Sequence, residues 1–168
     1  MRVVVLVGNP NRGGRTTTVA EAVAARIADM TGAAVETVEL IDVAGELFDW
    51  GSAAVNELAA RVRTTEILVV ASPTYKASFT GLLKAFLDRY RSDGLSGVVT
   101  VPVMLGGSPT HALAVETQLR PVLVELGAVM PTRGLYVVDS EMDSLANVID
   151  AWWETASPGL RRSLTASG

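Results

Sequence analysis

The chain has 168 residues, of which 49% are apolar and 19% are charged, and its formal net charge is −4. This length suits one compact domain, and an acidic balance without a basic run argues against nucleic acid and anionic membranes as partners. The chain has no cysteine and a single histidine, His111. Disulfides, cysteine nucleophiles and multi-histidine metal centres within one chain are therefore excluded.

The distribution of apolar residues bears on where the protein acts and whether it self-associates. No apolar run approaches the roughly 20 residues of a membrane-spanning helix. The first residues lack the layout of a signal peptide, so we expect a cytoplasmic protein. The low charged fraction predicts that part of the apolar surface is covered by another copy, in a homodimer or homotetramer.

Five short stretches predict β-strands. Residues 3–7, 67–71 and 98–105 are apolar on both faces, which is typical of inner strands of a parallel sheet. Residues 35–40 alternate weakly and residues 135–138 follow a proline, so both predict edge strands.

Apolar residues recur with helical periodicity between these strands. Helices are predicted over residues 19–30, 54–63, 79–90, 115–126 and 144–155. Pro121 should kink or divide the fourth helix. Residues 157–168 are rich in Ser, Gly and Arg, so we expect a loosely ordered tail after a domain over residues 1–156. Strands that alternate with helices through right-handed crossovers predict a doubly wound α/β fold.

Ligands of such folds bind beyond the carboxyl ends of the strands, so three loops are candidates. The first, residues 8–17, leaves a buried strand and opens a helix, where free N–H groups attract anions. Asn9, Arg15, Thr16 and Thr17 add polar donors, which favours a phosphate site. The alternative is an ordinary strand-to-helix turn.

Familiar phosphate loops do not match this segment. A P-loop requires a lysine directly after its second glycine, where this chain has Gly14. Asn9 and Pro10 interrupt a dinucleotide fingerprint. The strand that precedes the loop ends without the acidic residues of a phospho-accepting receiver domain.

The second loop, residues 72–81, contains Pro73, which fixes φ and stiffens the turn. Thr74 and Tyr75 are thereby presented to a planar ligand at the sheet edge. The alternative is that Tyr75 is a half-buried loop aromatic.

The third loop, residues 105–111, contains Gly106 and Gly107, which let the backbone approach a ligand closely. The alternative is a plain helix entry capped by Ser108 or Thr110. His111 is interpreted as a surface or interface residue, with ligand contact as the alternative. A triad base is disfavoured, because no serine lies in a G-x-S-x-G elbow.

Motifs in the second and third loops resemble one known family. The pattern S-P-x-Y-x-x-x-x-x-G-x-L-K occurs without a gap at residues 72–84, and G-G-S-P-x-H follows at residues 106–111. Residues 119–128 are also similar. With these motifs the chain resembles the NADPH-dependent FMN reductase family over about residues 3–155. That family includes the flavin reductases of two-component monooxygenases.

The resemblance implies a flavodoxin-like five-stranded parallel sheet of order 2-1-3-4-5, with helices on both faces and the flavin at the switch point. It also implies three groups of FMN-binding residues, for the phosphate, the isoalloxazine ring and the pyrimidine edge. The three groups are Asn9, Arg15, Thr16 and Thr17; Pro73, Thr74, Tyr75 and Lys76; and Gly106, Gly107 and Ser108.

The first loop departs from the family at two positions. Family members usually have a serine where this chain has Asn9 and another directly before Arg15, where it has Gly14. The Asn9 amide and the Gly14 N–H are still donors, so we expect FMN binding to be retained.

The resemblance further implies hydride transfer from NADPH or NADH to N5 of FMN, with no protein nucleophile and no metal. The N–H groups of Gly106 and Gly107 would stabilise the charge that develops at N1 and O2. Reduced flavin would go to a monooxygenase or another acceptor. One alternative is an FMN-bound quinone or azo-dye reductase, and another is a flavodoxin-like carrier without NAD(P)H activity. The apolar helix over residues 79–90 is the candidate dimer interface.

Overall fold

Five parallel strands form the centre of the molecule in the computed structural model, which describes residues 1–166. The strands are β1 (Arg2–Val7), β2 (Ala34–Glu39), β3 (Ile67–Pro73), β4 (Val99–Gly106) and β5 (Leu135–Val138). Their order is β2-β1-β3-β4-β5, and every neighbouring pair is parallel. The predicted fold class, strand order and edge strands are therefore confirmed.

Five α-helices cover the sheet. They are α1 (Arg15–Thr31), α2 (Ala53–Arg63), α3 (Gly81–Leu87), α4 (Arg120–Glu125) and α5 (Leu145–Ala166). Short 3-10 turns follow β2, β4 and β5. None of the helices within residues 1–166 is long and apolar enough to cross a bilayer.

The inner strands are buried on both faces because their side chains alternate between two cores. Val3, Val5 and Val7 pack beneath α1 and α5. Val4 and Leu6 point the other way, toward α2, α3 and the segment that contains α4. This two-sided burial explains why β1, β3 and β4 read as continuous apolar runs.

Helix α3 is shorter than its apolar stripe predicted. Thr80 caps it, because its hydroxyl accepts a hydrogen bond from the Leu83 N–H at 3.1 Å. Leu83, Phe86 and Leu87 are buried within the chain. Packing inside the chain accounts for this half of the stripe, whereas Phe79 and Leu82 are half-buried, and the dimer interface at this helix stays a prediction.

Pro121 divides the fourth helical segment, as predicted. A π-helical stretch, Val115–Leu119, precedes α4, and Pro121 lies in the first turn of α4. Glu116 ties this junction to the start of β5, since its carboxylate accepts from Arg120 and, at 2.7 Å, from the Gly134 N–H. Burial alone raises the pKa of Glu116, but these hydrogen bonds outweigh it and lower the pKa below its ordinary value.

The last helix corrects a prediction. It was expected to end at Thr155 and to give way to a loosely ordered tail, but α5 continues to Ala166 through Pro158. Ala156 and Leu160 are fully buried in the core beneath α1. Their spacing of four residues continues the apolar face of the helix, and this burial offsets the hydrogen bond that Pro158 cannot donate. Residues 167–168 of the expected tail lie outside the described part.

Candidate functional site

The ends of β1, β3, β4 and β5 surround a cleft of about 310 Å³ at the carboxyl edge of the sheet. This volume is typical of small-ligand sites, which span about 300–1,000 Å³. The lining residues are Asn9, Asn11, Gly14, Arg15, Thr16, Pro73, Thr74, Tyr75, Leu105, Gly106, Gly107 and Asp139. The three loops selected from the sequence therefore converge at one place.

Most of the predicted site residues line this cleft, but three do not. Thr17 turns toward Glu39 and Lys76 is exposed at the tip of a turn. The Ser108 hydroxyl caps the following turn by accepting from the Thr110 N–H at 3.2 Å. The capping interpretation thus fits the Ser108 side chain. His111 is exposed and lies outside the cleft lining, in agreement with a surface position.

The first loop is shaped by a close contact between Asn9 and Gly14. Asn9 is only 6% exposed, and its side-chain oxygen accepts from the Asn11 N–H at 3.0 Å. Its side-chain nitrogen lies 2.8 Å from where a Cβ on Gly14 would be. The Asn9 amide therefore uses the space that a side chain at position 14 would need. The two departures from the family pattern are neighbours that accommodate each other.

Glu39, at the end of β2, anchors the same loop. Its Oε1 accepts from the Gly13 N–H at 2.8 Å and from the Thr17 hydroxyl at 2.6 Å. The Thr17 N–H donates to the Gly14 carbonyl at 2.9 Å. Both donors of Thr17 are thus engaged within the protein, which explains why Thr17 does not face the cleft.

Two threonine hydroxyls in the cleft lack partners. Thr16 Oγ1 and Thr74 Oγ1 are the buried side-chain polar atoms without a hydrogen bond among the described residues. Leaving a buried hydroxyl unsatisfied costs about 1–3 kcal/mol. Both residues line the cleft, one at the start of α1 and the other after β3, but their hydroxyl oxygens are turned inward, each with less than 1 Å² exposed. A polar ligand in the cleft would lie beside both residues, and rotation of each side chain about χ1 would bring its hydroxyl to the ligand.

The second loop ends in a tight turn with unusual backbone angles. Tyr75 and Ser78 exchange two backbone hydrogen bonds, at 2.8 and 3.1 Å. Between them, Lys76 and Ala77 have φ values of 53° and 62°. These left-handed conformations cost L-residues about 1–2 kcal/mol each. The turn leaves Tyr75 46% exposed at the cleft wall.

The third loop approaches the second closely. The Thr74 N–H donates to the Leu105 carbonyl at 2.7 Å. A side chain on Gly106 would collide with the Tyr136 hydroxyl, which donates to the Ser108 carbonyl at 3.0 Å. Gly106 is therefore required by packing, and the backbone at this position remains accessible from the cleft.

Asp139 is the cleft residue that sequence reasoning missed. It follows β5 directly, and its Oδ1 accepts from Nη1 of Arg15 at 3.0 Å. Its place immediately after a strand, at the carboxyl edge of the sheet, is the sequence signal that could have identified it. Asn11 and Leu105 were also not assigned roles, although each lies within a loop that had been selected, and Gly14 was considered only as a backbone donor.

A parallel sheet of order 2-1-3-4-5, with a polar cleft and a helix start at its switch point, defines the flavodoxin-like class of nucleotide-binding proteins. The model of the family described as NADPH-dependent FMN reductase matches residues 1–143. The chain belongs to this family. The predicted family and the predicted oxidoreductase class are thereby confirmed.

Named relatives and a solved structure agree with this membership. The chain is 35% identical over 150 residues to the NADH-dependent FMN reductase SfnE of Pseudomonas putida, covering 84% of this chain and 79% of the relative. It is 33% identical over 157 residues to an FMN reductase (NADPH) of Escherichia coli K12, covering 84% and 75%. It is also similar to the apo crystal structure of the NADH:FMN oxidoreductase EMOB, with a TM-score of 0.77, 32% identity and coverage of 90% and 87%.

Proposed function

We propose that this chain binds FMN in the cleft and uses NADPH or NADH to reduce it, supplying reduced flavin to a monooxygenase or another acceptor. The observation that carries the proposal is that one cleft brings together Arg15 and Thr16 at the start of α1, Thr74 after β3 and the backbone of Gly106 and Gly107 at the end of β4. These groups match a ligand with an anionic end and a polar planar end.

The phosphate would lie at the start of α1. This helix has 17 residues, so its N-terminal N–H groups and dipole favour an anion there. Arg15 adds a charge-assisted donor, Thr16 a buried hydroxyl and Asn9 a side-chain amide. Thr17 contributes by fixing the loop through Glu39.

The ring would lie between the second and third loops. Pro73, Thr74 and Tyr75 would form one wall, and the backbones of Gly106 and Gly107 the edge that donates hydrogen bonds. Lys76 and Ser108 would contribute indirectly, because each residue helps to fix the conformation of a turn beside the ring. Bound FMN would supply the hydride-accepting ring, so no protein group has to serve as a nucleophile.

Two further features belong to the proposal. We place the protein in the cytoplasm, because the proposed hydride donors, NADPH and NADH, are regenerated by metabolism inside the cell. We also propose a homodimer or homotetramer, in keeping with its 19% charged residues and with exposed aromatic side chains at Phe48 and Trp50. Light scattering during gel filtration measures the oligomeric state directly.

An anaerobic titration tests the activity. Purified protein is mixed with FMN and then with NADPH or NADH in separate runs, while flavin absorbance is followed. Bleaching in either run, with rates that saturate in free FMN, is the expected result. FMN binding without bleaching would indicate a carrier, and flavin that copurifies through dilution would indicate a tightly bound cofactor.

A further inference from the structure

The charge balance of the cleft carries a further inference, which rests on the proposed function. Among the lining residues Arg15 is the one cationic side chain and Asp139 the one carboxylate. They are paired at 3.0 Å, so the side chains around the cleft have no net charge. A phosphate monoester carries about −1.5 to −2 charges at neutral pH. The phosphate of the ligand therefore approaches an Arg15 side chain whose positive charge is already offset by Asp139.

We propose that Asp139 competes with the FMN phosphate for Arg15 and thereby keeps FMN an exchangeable substrate instead of a tightly held cofactor. Asp139 is placed for this role between the first and third loops. While its Oδ1 accepts from Arg15, its Oδ2 lies 3.7 Å from where a Cβ on Gly107 would be. The carboxylate thus lies at the cleft wall, beside the proposed path of the ligand.

The ion pair is weak enough to exchange. The Arg15 and Asp139 side chains are 63% and 42% exposed, and the contact joins one guanidinium nitrogen to one carboxylate oxygen. Pairs this exposed contribute about 0–1 kcal/mol. Arginine binds phosphate more strongly through two parallel hydrogen bonds. The phosphate can therefore take Arg15 from Asp139, but it does so next to a carboxylate that repels it.

The Asp139→Asn variant removes the negative charge of the side chain while keeping its size and shape. Asparagine has nearly the same size and retains an oxygen that accepts from Arg15, but it does not repel phosphate. We expect the dissociation constant for oxidised FMN to fall by about three- to tenfold, measured by quenching of flavin fluorescence. Riboflavin, which has no phosphate, should bind both proteins equally. Asp143→Asn, which removes an exposed charge from the same turn, should leave FMN affinity at the wild-type value.

The same substitution in an Arg15→Ala background tests whether the effect of Asp139 depends on its competition with phosphate for Arg15. There, Asp139→Asn should improve FMN binding by a clearly smaller factor, because no cation remains to be released. Circular dichroism and thermal melting establish that each variant is folded.

The outcomes separate the two proposals. If neither the wild type nor Asp139→Asn binds FMN, the proposed function fails. If the wild type binds FMN and Asp139→Asn binds it equally or more weakly, only the role of Asp139 is overturned. An equal gain for riboflavin, or an equal gain in the Arg15→Ala background, also overturns competition for Arg15.

Discussion

The first and second loops of the cleft are held in shape by different means. In the first, residues 8–17, side chains from distant parts of the chain make the contacts: Glu39 at the end of β2 anchors Gly13 and Thr17, and Asp139 just after β5 pairs with Arg15. In the second, residues 72–81, Thr74 and Thr80 bond to the distant Leu105 and Gly8 carbonyls, but the tip from Tyr75 to Ser78 is shaped by local, strained backbone geometry. Substitutions in the first loop should therefore change ligand affinity through distant partners. Substitutions at the tip of the second loop should instead change the free energy of unfolding through the backbone strain of the turn itself.

The largest effect is expected for Arg15→Ala. Loss of a charge-assisted hydrogen bond to phosphate, about 1.5–3 kcal/mol, should weaken FMN binding about ten- to a hundredfold while the protein remains folded. Arg12→Ala is the matched control, because Arg12 lies in the same loop but pairs with Asp42 outside the cleft lining. Equal FMN affinities for wild type and Arg15→Ala in a fluorescence titration would remove the phosphate assignment.

Glu39→Ala tests whether distant partners shape the first loop. The change leaves the Gly13 N–H and the Thr17 hydroxyl without their acceptor, so we expect about 1–3 kcal/mol less stability in urea denaturation. FMN affinity should fall about three- to tenfold, since the loop is no longer held in place. Glu36→Ala on the same strand breaks an exposed ion pair with Arg61, and it should change stability by less than about 1 kcal/mol. A similar loss of FMN affinity in both variants would contradict the role of Glu39.

A smaller effect is expected from Gly14→Ser, which restores the residue usual in the family. Its Cβ would displace the buried Asn9 amide, so FMN binding should weaken by about 0.5–1.5 kcal/mol. Asn9→Ser together with Gly14→Ser should recover affinity, because serine at position 9 vacates the contested space. A double-mutant cycle on FMN dissociation constants measures this coupling, and strictly additive effects would show that the two positions act independently.

Ala77→Gly should have the smallest effect. Glycine adopts the φ of 62° without steric strain, although it loses about 0.5–1 kcal/mol of backbone entropy, so a net gain of about 0.5 kcal/mol in unfolding free energy is expected. Ala60→Gly, at an exposed position inside α2, should instead destabilise the protein by about 1 kcal/mol. Loss of stability in both variants, measured by chemical denaturation, would mean that the turn is not strained at position 77.

The sequence predicted the cleft well where the evidence was local. The polar residues of the first loop, Asn9, Arg15 and Thr16, lie between the buried strand β1 and the first turn of α1. At the end of β4, Gly106 and Gly107 have no side chain that would separate the backbone from the cleft. Thr17 shows the limit of such reasoning. It belongs to the same polar run, yet the end of β2 brings a carboxylate within 2.6 Å of its hydroxyl and turns it away from the cleft. Strand order decides that contact, and residue types along the loop do not reveal it.

Apolar runs and helical periodicities by themselves determined the five strands, their inner and edge positions and the edge of the sheet where the cleft lies, because burial on one or both faces imposes its own repeat on a chain. Tertiary structure alone decided the charge of the cleft. Arg15 and Asp139 are 124 positions apart, and their pairing depends on the crossovers that bring the ends of β1 and β5 to one edge. Electrostatic interactions depend on distance in space, so a carboxylate far along the chain can offset the cation of a loop whose own residues are all neutral or basic.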